Sequence, residues 1–167
     1  MTNIKKKLNN QQLQELVLDL AWNDRFGCYS RPGFEKVIWP QIAEDAEWII
    51  FFDIDDMHTL NERHGYDGVD ALIKKSLSVR STDYVASQWQ SGDEFLICLT
   101  RNKGRVTSDP VALCERLNEQ FIENSVPATF GIAPVTSKEL TENVRPAAEL
   151  VREEKKANRR GRINQVS

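Results

Sequence analysis

Residues 88–97 of the chain read QWQSGDEFLI. The serine–glycine pair is typical of a turn, and the phenylalanine begins an apolar run that predicts a strand. Between them, Asp93 and Glu94 place two adjacent carboxylates at the start of that strand. Because a buried carboxylate is costly to desolvate without a partner, this stretch requires a compensating positive charge nearby.

A second group of carboxylates follows a second apolar segment, WIIFFDIDD at residues 48–56. Its five apolar residues predict a strand that is buried on both faces. If neighbouring strand ends bring Asp53 close to Asp93, the two carboxylates share one divalent cation. Oxygen ligands favour Mg²⁺ or Mn²⁺, which also binds phosphate oxygens. Gly92 has no side chain, so a nucleotide can approach the backbone there. The two stretches together predict metal-assisted phosphoryl transfer.

Composition limits the possible classes of protein. The 167 residues are 40% hydrophobic and 28% charged, which is typical of one soluble globular domain. The net charge of -3 argues against long nucleic acid as a partner. No apolar stretch reaches the ~20 residues of a membrane span, and the N-terminus lacks the apolar core of a signal peptide. Three widely spaced cysteines favour reduced thiols over a disulfide or zinc site. We therefore predict a cytoplasmic protein without a membrane partner.

Hydrophobic periodicity predicts an α/β (α+β) domain with a mixed central sheet flanked by helices and the DE pair on a β-hairpin. A polar, turn-rich stretch at 58–67 precedes one of the helices. We assign 1–22 to an N-terminal helix and 23–167 to one catalytic domain. The predicted helices cover 10–22, 34–42, 68–77, 111–123 and 140–160, and the predicted strands cover 48–52, 83–88, 95–99 and 128–135.

Several motifs resemble those of GGDEF domains, the diguanylate cyclases, whose palm-like fold is related to that of polymerases. The family's signature loop appears as SGDEF at 91–95. Its upstream pattern D-x-D-x-F-K-x-x-N-D-x-x-G-H-x-x-G-D appears, without a gap, as DIDDMHTLNERHGYDGVD at 53–70. Weaker echoes are NDRFGCYSRPGF at 23–34, ATFGIAP at 128–134 and RRGRINQV at 159–166.

The resemblance implies a metal site and a catalytic loop. Asp53, the carbonyl of Ile54 and Asp93 would bind Mg²⁺ or Mn²⁺. Glu94 would complete the catalytic loop with Asp93, by contacting the metal or by helping to activate a 3′-hydroxyl.

It also implies where the substrate GTP would bind. Asn61 and Asp70 would pair with guanine, since an amide and an acceptor carboxylate match its O6 and N1/N2 edge. Backbone amides near Asp56 and Met57 would hold phosphates. Arg162 would neutralise the triphosphate.

The implied reaction is the condensation of two GTP into cyclic di-GMP with loss of pyrophosphate. Because each site would hold one GTP, catalysis would need a homodimer. Arg80 and Asp83 resemble the family's RxxD inhibitory site for cyclic di-GMP. Seven residues separate that motif from the signature loop instead of the family's five, which means either a strand bulge or a chance match.

Some positions depart from the family pattern. Ser91 replaces the first glycine of the loop, His58 replaces a lysine, and Trp89 replaces an arginine. Asn158 stands where a phosphate-binding lysine is expected, so Lys155 or Arg159 would have to substitute from the same helix face.

Two alternative functions therefore stay open. The first is a module that binds GTP or cyclic di-GMP without turnover. The second is a related palm nucleotidyl cyclase that makes another product, such as the CRISPR-type polymerases that use ATP. A measurement of turnover distinguishes the binding module from a cyclase. A competition between ATP and GTP distinguishes a cyclase that uses ATP from one that uses GTP.

Overall fold

A computed structural model describes residues 7–78, 85–90, 93–101 and 109–166. Its helices are α1 (Asn10–Ala21), α2 (Arg31–Gly33), α3 (Trp39–Ile42), α4 (Met57–Ser78), α5 (Pro110–Glu123) and α6 (Leu140–Lys156), and a π-helical turn (Phe34–Ile38) joins α2 to α3. Its strands are β1 (Trp22–Asn23), β2 (Cys28–Tyr29), β3 (Ala46–Ile54), β4 (Val85–Gln88), β5 (Glu94–Thr100), β6 (Ala128–Pro134) and β7 (Ile163–Gln165).

One mixed sheet organises the described part of the chain, with strand order β1-β2-β4-β5-β3-β6-β7. Strand β3 pairs antiparallel with both β5 and β6, while β2–β4 and β6–β7 are parallel. Helices cover both faces, so the predicted α+β class is confirmed. The register places Asp53 opposite Glu94 on β5 and opposite Thr129 on β6. The acidic end of β3 therefore meets the acidic start of β5.

The continuous apolar run of β3 is explained by burial on both faces. Ile50 and Phe52 point to the side covered by α4 and α5, whereas Ile49 and Phe51 point to the side covered by α6 and the 31–42 helical segment. All four side chains are fully buried. Each contributes roughly 1.5–3 kcal/mol of hydrophobic stabilisation. This burial fixes the strand that carries Asp53.

Helix α6 lies unusually close to the sheet at Gly131. A Cβ at that position would lie 2.3 Å from the carbonyl oxygen of Ala147, so only glycine fits there. Buried Val144, Ala147 and Val151 face the sheet on the same side of the helix. This contact holds the helix so that its last turn reaches the end of β3.

The structure corrects the prediction for residues 58–67. Helix α4 begins at Met57, so residues 57–64 form a helical stretch that was not predicted, whereas the stretch after the break at Gly65 agrees with the helix predicted from about Gly68. The glycines and polar residues suggested turns, and Gly65 does break the helix, since its φ of 74° and ψ of 162° are not helical and produce a kink between two helical stretches. Strands β1, β2 and β7 were not predicted because two or three residues are too short to show alternation. The predicted hairpin is confirmed by the antiparallel pairing of β4 with β5.

Two further sequence expectations concern thiols and membranes. All three cysteines are free and buried, as expected for reduced thiols. Burial raises the pKa of Cys28 and of Cys98 to about 12, which makes both thiols poor nucleophiles. Within the described ranges, we find no helix with both the length and the apolar character needed to cross a membrane.

Helix α1 begins as predicted at Asn10 and exposes much of its apolar surface. Among its residues only Ala21 is buried, where it contacts Gly33. Its apolar residues Leu13, Leu16, Val17, Leu18 and Leu20 are between 42% and 74% exposed. The assignment of residues 1–22 as a separate unit stays a prediction.

Candidate active site

Four acidic residues gather where β3 ends and β5 begins, and we call them the carboxylate cluster: Asp53, Asp55, Asp93 and Glu94. Antiparallel pairing sets Asp53 directly across from Glu94. The amide of Ile54 donates a hydrogen bond of 2.9 Å to the carbonyl oxygen of Asp93, which extends the pairing past the strand end. Backbone geometry therefore brings together the two acidic motifs that are separated in the sequence.

Two oxygens of this cluster are buried without a donor. Asp53 Oδ1 and Glu94 Oε2 accept no hydrogen bond from any residue that the structure describes. Such acceptors are rare in proteins because each costs free energy when it is removed from water. Unsatisfied anionic oxygens on neighbouring strands are what a cation-binding site requires.

The same environment shifts the acidity of both groups. Burial raises the pKa of Asp53 to about 6; the Lys155 ammonium opposes this shift, and the negative charge of Asp93 adds to it. Burial also raises the pKa of Glu94, and the charge of Asp53 raises it further. Arg152 opposes the shift in Glu94 from 3.9 Å away. The positive charges of Lys155 and Arg152 therefore do not fully offset the effects of burial and mutual repulsion on these two carboxylates.

Lys155, at the end of α6, supplies the main positive charge. Its Nζ lies 3.2 Å from Asp53 Oδ2 and 3.2 Å from Asp55 Oδ1, and it donates a 3.2 Å hydrogen bond to the carbonyl oxygen of Ile54. The sequence assigned Lys155 to phosphate and the Ile54 carbonyl to metal. In the structure the ammonium instead occupies the side of Asp53 and Ile54 where a cation would be bound.

Asp55 acts as a structural anchor for this arrangement. Its side chain is 5% exposed and accepts a 2.8 Å hydrogen bond from the Thr129 hydroxyl. Thr129 Oγ1 in turn accepts a 2.9 Å hydrogen bond from the amide of Gly161. Sequence reasoning missed Thr129, although its place in the ATFGIAP strand was a usable signal.

The donor set determines which metal the cluster fits. In the described ranges, no group of three or more His, Cys, Asp or Glu side chains converges as a metal-binding set. The ligands at hand are the Asp53 and Glu94 carboxylates and the Ile54 carbonyl. This set excludes a zinc-type site of nitrogen and sulfur ligands. It fits Mg²⁺ or Mn²⁺, which completes its coordination with water and phosphate oxygens.

A cleft of about 730 Å³ opens beside the cluster, a size typical of small-molecule sites. The structure brings four sequence-predicted residues to its walls: Asp93, Met57, Asn61 and Asp70. Residues that sequence reasoning did not assign also line it, among them Arg25, Arg31, Tyr66 and Trp89. The cleft therefore joins the predicted base-binding residues to the carboxylate cluster.

Asp70 has a contact that the sequence did not predict. Asp70 is 10% exposed, and its Oδ2 accepts a hydrogen bond from the Nε of Arg25, which is 56% exposed. The guanidinium carbon of Arg31 lies 3.8 Å from the centre of the Trp89 ring, and its Nε donates a 2.9 Å hydrogen bond to Glu35 Oε1. The carboxylate that was predicted to pair with guanine thus already has a cationic partner from the 23–34 segment.

The basic C-terminal residues also include a contact that the sequence did not predict. Arg162 is exposed, and its carbonyl oxygen accepts a 2.9 Å hydrogen bond from the amide of Phe130. Arg160 instead reaches the acidic turn, where its Nη1 lies 2.7 Å from Asp56 Oδ1. Asp56 has φ of 51°, a left-handed conformation that aspartate tolerates, and directly precedes α4. Sequence reasoning did not single out Arg160.

Three predicted residues lie outside the described ranges: Gly92, Arg80 and Asp83. Their roles in nucleotide approach and in product inhibition stay predictions.

Fold and site together define a class: an α+β domain with a cleft of about 730 Å³ where acidic strand ends meet. No protein-family model matches the sequence, and no curated protein matches it. Solved structures do match. The coiled coil and GGDEF domain of DgcB from Caulobacter crescentus, in complex with c-di-GMP, is similar with a TM-score of 0.70 at 15% identity over 93% of this chain and 91% of that one.

Two structures from Pseudomonas aeruginosa are similar as well. The diguanylate cyclase SiaD, in complex with its activator SiaC, has a TM-score of 0.70 at 19% identity over 93% of this chain and 66% of that one. The FimX GGDEF domain has a TM-score of 0.68 at 15% identity over 87% of this chain and 99% of that one. The chain therefore has the fold of GGDEF domains.

Proposed function

We propose that the chain is a member of the GGDEF family that condenses two GTP into cyclic di-GMP and releases pyrophosphate. The observation that carries the proposal is the pair of buried, unsatisfied oxygens, Asp53 Oδ1 and Glu94 Oε2, beside the cleft. Its support from comparison is that SiaD is a diguanylate cyclase and that DgcB was solved with c-di-GMP.

The cleft would hold one GTP along its length. Asn61 and Asp70 would bind the base, and the apolar side chain of Met57 lines the same cleft. The first amides of α4, near Asp56 and Met57, would hold phosphate, because a helix N-terminus favours anions. Arg160 lies against this turn and would stabilise the triphosphate together with Arg162.

The Asp53 and Glu94 carboxylates and the Ile54 carbonyl would hold Mg²⁺ or Mn²⁺, and the negative charge of Asp93 beside them would add to their attraction for the cation. When bound, the metal would neutralise the triphosphate and polarise the α-phosphate. The protein's own part is to keep these oxygens together through the β3–β5 pairing. Lys155 would leave Asp53 and Ile54 as the metal enters, and would then be free to bind a phosphate oxygen of GTP.

The chemical step forms one bond and breaks another. The 3′-oxygen of one GTP attacks the α-phosphorus of the second, and the bond from that phosphorus to the bridging oxygen of the β-phosphate breaks. Pyrophosphate leaves, and the hydroxyl proton passes to a carboxylate of the cluster. The step happens twice, once at each site of a homodimer.

A second candidate is a module that binds GTP or cyclic di-GMP without turnover. The contacts that favour it are the ion pairs already present in the site. Lys155 pairs with Asp53, and Arg25 pairs with Asp70, so one carboxylate needed for catalysis and one needed for base binding already have cationic partners within the chain.

The experiment incubates the purified protein with Mg²⁺ or Mn²⁺ and each nucleoside triphosphate separately, and identifies products by mass spectrometry. Cyclic di-GMP from GTP is expected, and Asp53→Asn and Glu94→Gln should each abolish it. Glu153→Gln, which removes an exposed carboxylate of α6 that lies beside Pro146 and Gln165 and does not line the cleft, is the matched control and should retain activity. A cyclic nucleotide from ATP would keep the mechanism and change the base. Binding without product would establish the second candidate.

A further inference from the structure

The base-binding end of the cleft carries an arginine that the family resemblance did not assign. Arg25 lies between β1 and β2 and lines the cleft with Asn61, Tyr66 and Asp70. Its Nε donates to Asp70 Oδ2, and its guanidinium carbon lies 5.6 Å from the centre of the Phe26 ring. Both contacts hold the guanidinium over the carboxylate that would read the base.

The two partners differ in their access to solvent. The Asp70 side chain is 10% exposed, so it cannot turn away to water and needs a donor where it is. The Arg25 side chain is 56% exposed, so it can leave at much lower cost. The pair is therefore a buried acceptor with a removable internal donor, and a bound base must compete with that donor.

Guanine is the base whose recognition this competition affects most. Its N1–H and N2–H₂ are adjacent donors that match both oxygens of a carboxylate. With Oδ2 engaged by Arg25, Asp70 offers fewer acceptor sites and no uncompensated charge. Adenine has no such pair of donors, so its binding gains little from Asp70 and loses little to Arg25. A site discriminates strongly only when its polar groups are left unpaired by the wrong ligand.

We propose that Arg25 is a specificity-determining residue of the cleft: by pairing with Asp70 it reduces the preference for guanine over adenine nucleotides. This inference rests on the proposed function, because it assumes that the cleft binds a nucleotide with its base at Asp70. It predicts a protein that binds GTP with a smaller advantage over ATP than a free Asp70 would give.

The test measures binding without turnover. Isothermal titration with Mg²⁺ and the α,β-methylene analogues of GTP and ATP gives two affinities for each variant. Arg25→Leu should bind the guanosine analogue about tenfold more tightly, the value of one charge-assisted hydrogen bond regained by the base, with little change for the adenosine analogue. Arg25→Lys keeps a cation beside Asp70 and should retain the low ratio. A thermal melt of each variant checks that it is folded.

Two further variants assign the effect to Asp70. Arg31→Leu removes the other cleft arginine, which pairs with Glu35 and not with Asp70, and should shift both affinities together. Adding Asp70→Asn to Arg25→Leu should erase the gain. A guanosine affinity that falls in Arg25→Leu would overturn the inference, because Arg25 would then be reading the base itself. An unchanged ratio would also overturn it, while leaving the nucleotide site intact. Loss of binding for both analogues in the unaltered protein would overturn the proposed function and this inference with it.

Discussion

Replacing Lys155 with methionine removes the ammonium while keeping an unbranched side chain of similar length. At 3.2 Å from each of two carboxylates, the charge contributes a gross attraction on the order of 5 kcal/mol per pair at an effective dielectric constant of 20. Desolvation of the three groups cancels most of this. Because Lys155 and Asp53 are each 18% exposed, we expect a net loss of about 2 kcal/mol of unfolding free energy. For a domain of this size that lowers Tm by about 4–8 °C.

The variant should gain metal affinity as it loses stability. Without the tethered cation, Asp53 and the Ile54 carbonyl are open to Mn²⁺, and we expect its affinity to rise about tenfold. Saturating Mn²⁺ should then restore stability to Lys155→Met by a larger amount than it adds to the unaltered protein. The same variant should bind GTP less well, because the lysine is no longer available to phosphate.

The assay combines Mn²⁺ titration, followed by electron paramagnetic resonance, with thermal melts in the presence of chelator or metal. Lys156→Met is the matched control, because it removes the neighbouring exposed lysine of the same helix. It should change neither the metal affinity nor the melting temperature measurably. Equal Mn²⁺ affinity in Lys155→Met and in the unaltered protein would refute the reasoning, since the ammonium would then not share the metal's place.

Three other predictions concern pH and packing. The pKa of Asp53 is raised from 3.8 to about 6 in the folded state, so protonated Asp53 favours folding. This contribution is present in full below about pH 4 and is lost as the pH rises to about 6. In the presence of chelator, the unfolding free energy should therefore fall by roughly 1–2 kcal/mol over that pH window. Urea titrations at several pH values should show a flatter profile for Asp53→Asn. Asn143→Ala removes four hydrogen bonds of 2.7–3.1 Å around the start of α6 and should cost about 2–4 kcal/mol in urea denaturation, without altering Mn²⁺ affinity. Gly131→Ala should lower the unfolding free energy by more than ~2 kcal/mol, because its Cβ would meet a backbone oxygen at 2.3 Å. Gly68→Ala in α4 is the control: the atom nearest to its Cβ would lie at 3.3 Å, and the change should be neutral or slightly stabilising. Equal effects of the two substitutions would contradict the close approach of α6.

Local pattern was sufficient for much of the fold. The apolar run before Asp53 predicted a strand buried on both faces, and the SG turn predicted a hairpin that places Asp93 and Glu94 at a strand start. Helical periodicity located α1, α5 and α6 to within a few residues. These features depend on which faces of a short segment are apolar, and the sequence alone contains that information. The same logic was right only in part at 58–67, where Gly65 interrupts the helix but the polar residues before it are helical.

The sequence by itself also placed each acidic motif at the end of a strand, whereas the antiparallel register of β3 and β5, which brings the two motifs together, is a property of the tertiary structure. Only the tertiary structure decided which charges balance them. Lys155 reaches Ile54 across 101 positions, Arg160 reaches Asp56 across 104, and Arg25 reaches Asp70 across 45. Such contacts depend on how α6 packs at Gly131 and how the 23–34 segment folds over the cleft, and neither leaves a periodic trace in the sequence. Long cationic side chains also have many rotamers of similar energy, so the three-dimensional surroundings select the partner.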